Sequence, residues 1–280
     1  MARRLFLFAA YDAQGIVRDT LVYYVSALSR CGDVVLVMDC GAADGELRKL
    51  AGCTLHASAV RHGEYDFGSY KRAWVWATEN LGMAEYDFVY MVNDSVIGPL
   101  FDIEPVLRRM EEMQKDAFAL AYNPYKKGPH MQSWFLGMRR TVFTSERFDG
   151  FIRSVCREAS KREVCIRYER GFTRLAKDMG ADFGGLYTLR SRKIYTDVRK
   201  LFRKGMPFFK KSAFLRHNGA LGDEVKYVLE HTDPLLARAV RDEIVTVYGL
   251  PKLLTGNRLE IIRRYTLYAL GKLLGRRDRM

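Results

Sequence analysis

The sequence predicts an α/β fold, with a mostly parallel central sheet flanked by helices. Three observations predict it. The chain opens in β-α-β-α-β order. Its strands read as continuous apolar runs, which suits strands covered on both faces. One of them, Tyr86-Asp87-Phe88-Val89-Tyr90-Met91-Val92, runs into Asn93, the lone carboxylate Asp94, Ser95 and then Gly98-Pro99-Leu100. A buried strand of this kind delivers an acid to the rim of a sheet, and in open α/β sheets ligands bind outside the carboxyl ends of the strands. A lone carboxylate there suits a divalent cation that arrives with phosphates. Asp94 also suits a turn, or the cap of a helix after Pro99.

The elements follow in order. Leu5 to Ala10 reads as the first strand. The basic Met1-Ala2-Arg3-Arg4 before it has the look of a signal peptide, but Tyr11-Asp12 ends the apolar run early and no small-residue cleavage site follows. Val17, Leu21, Tyr24, Val25 and Leu28 fall at helical spacing, with Cys31-Gly32 as the stop. Asp33 to Met38 is the second strand, Glu46 to Leu50 a short helix, and Thr54 to Val60 a weaker third strand. Tyr70, Ala73, Trp74, Ala77 and Leu81 then mark one helix face. Further on come a helix over Ile103 to Met113, a strand over Asp116 to Tyr122, and a loop from Asn123 to Pro129 that includes Lys126 and Lys127. A strand is expected over His130 to Met138, a helix over Thr141 to Lys161, a charged bridge over Lys161 to Ile166, a helix from Tyr168 with Phe172, Leu175, Ala176 and Met179 on its buried stripe, and a strand over Ala181 to Thr188.

With 280 residues, 48% of them hydrophobic, the chain can form one large α/β domain or two small ones. No apolar run approaches the ~20 residues that cross a bilayer. Five cysteines without CxxC or zinc-ligand spacing read as reduced core thiols of a cytoplasmic protein. The formal net charge of +13 implies an anionic partner. That charge gathers in two places. From Arg190 to Arg216 stand Arg190, Arg192, Lys193, Arg199, Lys200, Arg203, Lys204, Lys210, Lys211 and Arg216, with Asp197 as the only acid, and His217-Asn218 closes the run. So one-sided a run, with aromatics between the charges, reads as an anion-binding rim. Pro251 marks a boundary, so a main domain is expected over 1–250 and a tail over 251–280. In the tail Leu259, Ile262, Thr266, Ala269, Leu270 and Leu273 share a helical stripe, and Lys252, Arg258, Arg263, Arg264, Lys272, Arg276, Arg277 and Arg279 oppose Glu260 and Asp278. An apolar stripe with cations points to a helix lying on an anionic membrane surface, or to a helix packed on the main domain with a basic end.

Candidate functional residues sit between the elements. Arg61-His62-Gly63-Glu64-Tyr65-Asp66-Phe67-Gly68-Ser69-Tyr70-Lys71-Arg72 reads as a loop with two glycines feeding a helix, which suits a diphosphate, with Gly68, Lys71 and Arg72 as contacts. It is neither a dinucleotide fingerprint nor a P-loop. Asp66 is either a helix N-cap or a carboxylate contacting a base or ribose. Glu169 is either an acid that favours the start of a helix dipole or a general base over the sheet edge. No nucleic-acid-binding module is visible.

Taken together, Tyr65-Asp66-Phe67-Gly68-Ser69-Tyr70-Lys71, Met91 through Leu100, His130-Met131-Gln132-Ser133-Trp134-Phe135, Tyr168-Glu169-Arg170-Gly171-Phe172-Thr173 and Pro207-Phe208-Phe209-Lys210-Lys211 resemble the rhamnan synthesis protein F family of polysaccharide glycosyltransferases. The resemblance implies a GT-A-like nucleotide-diphospho-sugar transferase fold. It also implies transfer of a deoxyhexose, typically rhamnose from dTDP-rhamnose, onto a lipid-linked cell-surface polysaccharide, at the inner face of the cell membrane. It casts Glu169 as the base of an inverting transfer, Asp66, Asn93, Asp94 and Ser95 as donor contacts, and Asp94 as the ligand of Mg²⁺ or Mn²⁺. His130, Gln132 and Ser133 become sugar or acceptor contacts, Lys210 and Lys211 phosphate contacts, and His217 a metal or phosphate contact. Where GT-A enzymes carry DxD, this chain reads Asn93-Asp94-Ser95, with one acid in place of two. The competing readings are another sugar on the same fold, a basic nucleic-acid-binding protein, and an inactive relative that acts in assembly.

Overall fold

The computed structural model describes residues 2–42, 45–125, 128–190, 193–255 and 258–273. Lys126, Lys127, Arg192, Arg276, Arg277, Asp278 and Arg279 lie outside the described residues, as do the side chains of Asn218, Arg258 and Lys272. The chain divides into two compact units. The first comprises Met1–Val17, Val25–Asp94 and Ile103–Ser191; the second comprises Arg18–Tyr24, Ser95–Asp102 and Arg192–Met280. The expected boundary at 250 is therefore corrected. The tail helix belongs with the residues after 191, because Arg264 donates to the carbonyls of Gly219, Lys252 and Leu253.

The first unit is built on one eight-stranded sheet. Its strands are β1 (Arg4–Ala10), β2 (Asp33–Met38), β3 (His56–Ala59), β4 (Phe88–Asn93), β6 (Ala117–Asn123), β7 (His130–Met131), β8 (Phe135–Arg139) and β9 (Phe183–Thr188); β5 (Val96–Ile97) and β10 (Phe209–Lys210) pair antiparallel in the second unit. The order is β3-β2-β1-β4-β8-β6-β7, with β9 beside β6. The pairs β2–β3, β1–β2, β1–β4 and β6–β9 are parallel, whereas β4–β8, β6–β8 and β6–β7 are antiparallel. This is the expected α/β class.

The continuous apolar strands are covered on both faces. Leu5, Leu7 and Ala9 of β1 join a core with Val89 and Met91 of β4 and with Phe67, Tyr70, Ala73, Trp74 and Ala77 of the helix Tyr65–Asn80. The alternate residues turn the other way: Phe6 stacks on Tyr90 at 5.1 Å, and Tyr90 meets Phe118 and Phe135 edge-on. Each such side chain contributes roughly 1.5–3 kcal/mol by leaving water, so the central strands are the stable part of this unit.

Several helical expectations are corrected. The helix expected over Thr141 to Lys161 is two, Arg140–Phe143 and Glu146–Arg153, because Ser145 Oγ caps the second by accepting from Phe148 N–H at 3.1 Å. The charged bridge after it is itself helical. Ser160 caps Lys161–Val164 through Glu163 N–H, and the chain continues through a wider π turn, Cys165–Glu169, into the helix Arg170–Asp178. The strand expected over His130 to Met138 is broken into β7 and β8 at Gln132-Ser133-Trp134. All five cysteines are free thiols, but only Cys40 is buried and Cys156 is exposed, so they are not uniformly core residues.

The second unit packs Ile97, Leu100, Phe209, Phe214, Leu221, Val225, Leu236, Val240 and Leu253 into a core of its own. Gly98, in a cis Gly98–Pro99 peptide, has φ 150° and leaves no room for a side chain: a Cβ there would lie 2.4 Å from the Phe208 ring. Among the described residues no helix is long and apolar enough to cross a membrane.

Candidate active site

The carboxyl ends of β1 and β4 lie level, with Ala9 opposite Asn93. Asp94 follows in a bend; its N–H donates to Ala9 O at 3.2 Å, and its Oδ2 accepts from Tyr11 N–H at 3.2 Å. Asn93 is 2% exposed, and its Nδ2 donates to Asp66 Oδ2 at 2.9 Å. Asp66 is not the N-cap: it is the second residue of the helix Tyr65–Asn80. Tyr65 starts that helix at φ 57°, a left-handed conformation uncommon for a side chain of its size, and so turns the first helical turn toward Asn93.

Because β8 runs antiparallel to β4, the break before it reaches the same edge, and Asn93 N–H donates to Trp134 O at 3.1 Å. Ser133 in that break is held from two sides. Its carbonyl accepts from Tyr70 Oη at 3.1 Å, and its N–H donates to Glu169 Oε1, also at 3.1 Å. Glu169 is not in the first turn of a helix, as expected, but at the end of the π turn. Such turns reposition one side chain within a continuous helix and are common at functional sites. One turn earlier, burial pushes the Cys165 thiol up to about 11, helped by the charge and hydrogen bond of Glu169 and by the charge of Asp66. Asp66 and Glu169 thus act on one neighbourhood, beside Asn93-Asp94.

Other expected contacts are engaged elsewhere, and these are corrections. Gly68 is not in a phosphate loop but inside the helix, where a Cβ would stand 2.3 Å from the Glu64 Cβ and 2.7 Å from the His62 ring. Lys71 donates to Val155 O at 2.6 Å, and Arg72 binds Glu64 Oε2 at 2.7 Å. Burial alone would raise the Glu64 carboxyl, but Arg72 and Lys71 hold it below its ordinary range. Gln132 is buried and accepts from Trp134 Nε1 at 2.7 Å, which fixes the break between β7 and β8. His130 is buried and donates through Nδ1 to Gly128 O at 2.7 Å, which leaves Nε2 on the other side of the ring.

In the second unit, Lys210 Nζ donates to Ser95 Oγ at 2.9 Å, and Lys211 Nζ pairs at 2.9 Å with Glu243, a buried acid that also accepts from Thr20 Oγ1. Lys211 therefore neutralises an internal carboxylate. His217 lies against Tyr265 and Tyr268 of the C-terminal helix, with ring centroids 6.1 and 4.3 Å away, so it helps dock that helix.

One group went unnoticed in the sequence. Asp39, just past β2, accepts at Oδ1 from the N–H groups of His62 and Gly63 at 2.8 and 2.9 Å. Glu64 N–H donates to His62 Nδ1 at 3.1 Å, so the ring proton sits on Nε2, 3.0 Å from Ser69 Oγ. Burial, with Arg72 nearby, lowers the His62 pKa, so its 3.5 Å approach to Asp39 is not an ion pair. An apolar strand followed by an acid was the available signal, the same one that marks Asp94.

Among the described residues, no group of three or more His, Cys, Asp or Glu side chains is placed to hold a metal ion. Asp94 alone fits a hard cation only as one ligand among oxygens that a substrate and water would bring.

Comparison with known proteins finds a matching family and several similar structures. A model of the family described as rhamnan synthesis protein F matches residues 34–250. An uncharacterised protein of Sinorhizobium fredii, y4gN, is 26% identical over 181 residues, covering 63% of this chain and 46% of its own length. The chain thus spans about half the length of that curated relative. Similar solved structures include a protein of Desulfovibrio desulfuricans G20 designated a nucleotide-diphospho-sugar transferase, at 19% identity and a TM-score of 0.42, covering 85% of this chain and 99% of that one. S. aureus TarS residues 1–349 are 12% identical at a TM-score of 0.40, covering 98% and 92%. The Mn/GDP form of core-mannan synthase A from Aspergillus fumigatus is 12% identical at 0.32, covering 54% and 63%. With a family match over most of its length, the chain belongs to the rhamnan synthesis protein F family.

Proposed function

We propose that this chain is a glycosyltransferase that uses a nucleotide-diphospho-sugar, with a deoxyhexose, rhamnose from dTDP-rhamnose, as the sugar moved and a lipid-linked polysaccharide as the acceptor. The observation that carries the reading is that Glu169, held by Ser133, and Asp66, held by Asn93, act on the same edge of the sheet as Asp94. Family membership supports it.

In the proposed reaction the anomeric carbon–oxygen bond to the diphosphate breaks with both electrons leaving on the diphosphate, through an oxocarbenium-like state. The acceptor hydroxyl oxygen bonds to that carbon from the opposite face, and its proton passes to Glu169. Ser133 N–H fixes one Glu169 oxygen and so sets the direction of the carboxylate. Asp66, oriented by Asn93, would contact the nucleoside. His130, through Nε2, is the candidate for a sugar or acceptor hydroxyl. Mg²⁺ or Mn²⁺, if bound, would take one oxygen from Asp94 and neutralise charge on the leaving diphosphate.

The C-terminal helix supports membrane association in this proposal. Glu260, Arg264 and Tyr268 lie on its less exposed side, whereas Leu259, Ile262 and Leu273 are 76%, 61% and 83% exposed. Such a face, on a basic tail, suits an anionic membrane surface that carries the acceptor.

The test is a panel of nucleotide sugars screened by thermal shift with and without Mn²⁺, since a ligand of the folded state raises its melting temperature. A selective rise with one deoxyhexose donor, followed by transfer, supports the proposal. Binding of a different donor changes the sugar. The side chain of Asn93, which stands in place of an acid, is engaged by Asp66, and this favours a second reading as an inactive assembly subunit. No rise with any donor would support that reading.

A further inference from the structure

Within the second unit lies an open hollow of about 590 Å³ lined by Asp197, Arg199, Lys200, Arg203, Lys204 and Glu224. Its four cations come from one short stretch, the helix Val198–Phe202 and the turn after it. Arg199 and Arg203 are four residues apart, as are Lys200 and Lys204, so like charges stack in two rows. Like charges at this spacing repel one another. The guanidinium groups are also pre-oriented. Arg199 and Arg203 lie 3.9 and 5.0 Å from the centre of the Tyr227 ring, and Arg203 Nε donates to Tyr227 Oη at 3.3 Å. Arg199 Nε–H is buried and makes no hydrogen bond.

The two acids of the hollow are largely turned to other work. Glu224 Oε2 accepts from the Arg199 main-chain N–H at 3.1 Å, and Asp197 Oδ1 accepts from Thr196 Oγ1 at 3.0 Å. With four cations against these two acids, the hollow keeps an excess of positive charge. It is large enough for a small ligand, since such sites run to roughly 300–1,000 Å³.

We propose that this hollow binds a phosphate-bearing anion, with the two arginines on Tyr227 gripping phosphate oxygens and the two lysines balancing the charge. Arginine held against an aromatic ring presents its fork of donors with less entropy to lose, and that fork matches phosphate geometry. None of these residues is among the proposed donor contacts, and the Asp94→Ala arm of the test below distinguishes the two sites. The anion is either a soluble diphosphate or the headgroup of a phospholipid.

The experiment titrates the full chain with inorganic diphosphate in EDTA and reads heat. The wild-type chain should bind saturably. Lys200→Glu/Lys204→Glu, at an exposed and a partly engaged surface position, should weaken binding about tenfold or more, while the control Arg238→Glu/Arg241→Glu, with the same change of charge on exposed positions of the helix Pro234–Thr246, should stay within about twofold. Equal weakening in both double variants, or no saturable binding by the wild-type chain, overturns the proposal. So does binding that Asp94→Ala abolishes and Lys200→Glu/Lys204→Glu leaves intact. Thermal unfolding of each variant checks that the fold persists. Flotation with phosphatidylcholine vesicles, with and without phosphatidic acid, separates the sources. Retention on phosphatidic acid that diphosphate displaces identifies a headgroup, and diphosphate binding without such retention identifies a soluble ligand.

Discussion

The first unit holds two groups of acids at opposite ends of its central strands, and they are treated differently. At the amino end of β1, the buried Arg4 donates to Glu111 at 2.6 and 2.9 Å and to Glu104 at 2.7 Å, while Tyr90 Oη donates to Glu111 at 2.7 Å. Each acid there faces a guanidinium. At the carboxyl ends of β1 and β4, Asp66 meets the Asn93 amide, Glu169 meets the Ser133 N–H, and Asp94 meets the Tyr11 N–H. Neutral donors aim a carboxylate without cancelling its charge. The first group closes on itself and serves the fold. The second is oriented by main-chain and amide donors at the sheet edge, where a carboxylate can meet a substrate or a cation.

The largest effect should come from breaking the closed group. Glu111→Ala leaves Arg4 with only Glu104 and the Cys31 carbonyl in a buried setting and should cost roughly 3–5 kcal/mol in urea unfolding, as one-sided removal of a buried pair does. A loss under about 1 kcal/mol would mean that Glu104 and water suffice, and the contrast between the two ends would weaken.

At the open group the same kind of change should spare stability and strike function. Glu169→Gln can still accept from Ser133 N–H, so the melting temperature and donor binding should hold while turnover falls about 10²-fold or more. Near-normal turnover would remove Glu169 from the proposed role. Asp94→Ala should weaken donor binding, most of all in the presence of Mn²⁺, as read by titration or thermal shift. Binding that is identical with and without the metal, in both forms, would remove Asp94 as a metal ligand. A smaller effect is expected at Asn93. Asn93→Ala leaves Asp66 without one of its donors and should cost about 1 kcal/mol.

How much of this was legible depends on the kind of interaction. Continuous apolar runs are local signals, and β2 falls on Asp33–Met38 as read. The delivery of Asp94 to the sheet edge was read from the same kind of run. The position of Asp66 inside its helix was not, because the left-handed Tyr65 starts that helix before the second glycine. The π turn that places Glu169 leaves no mark in a 3.6-residue period. Ser145 and Ser160 did carry capping signals, each with an acid within the next three residues. The C-terminal helix shows the limit of periodicity most plainly. Its stripe of Leu259, Ile262, Leu270 and Leu273 was visible, but the side that packs is chosen by Arg264 finding three backbone carbonyls.

The finest test of the open group reads the charge of Glu169 through its neighbour. Cys165 is partly buried, and its thiol is pushed up to about 11, first by burial and then by the charge and hydrogen bond of Glu169, with Asp66 adding to it. A negative carboxylate beside a thiol holds the proton on sulfur, so little thiolate exists near neutral pH. Glu169→Gln removes the charge but not the burial. The thiol pKa should therefore fall part of the way toward its ordinary value, and alkylation of Cys165 at mildly alkaline pH should quicken several-fold. Exposed Cys156, whose thiol meets Glu158 and Tyr168, is followed by mass spectrometry in the same sample as the internal standard and should react at an unchanged rate. If Cys165 reacts no faster in the variant, Glu169 carries no charge next to it in the folded chain. The acid would then already hold its proton and be unfit to accept another.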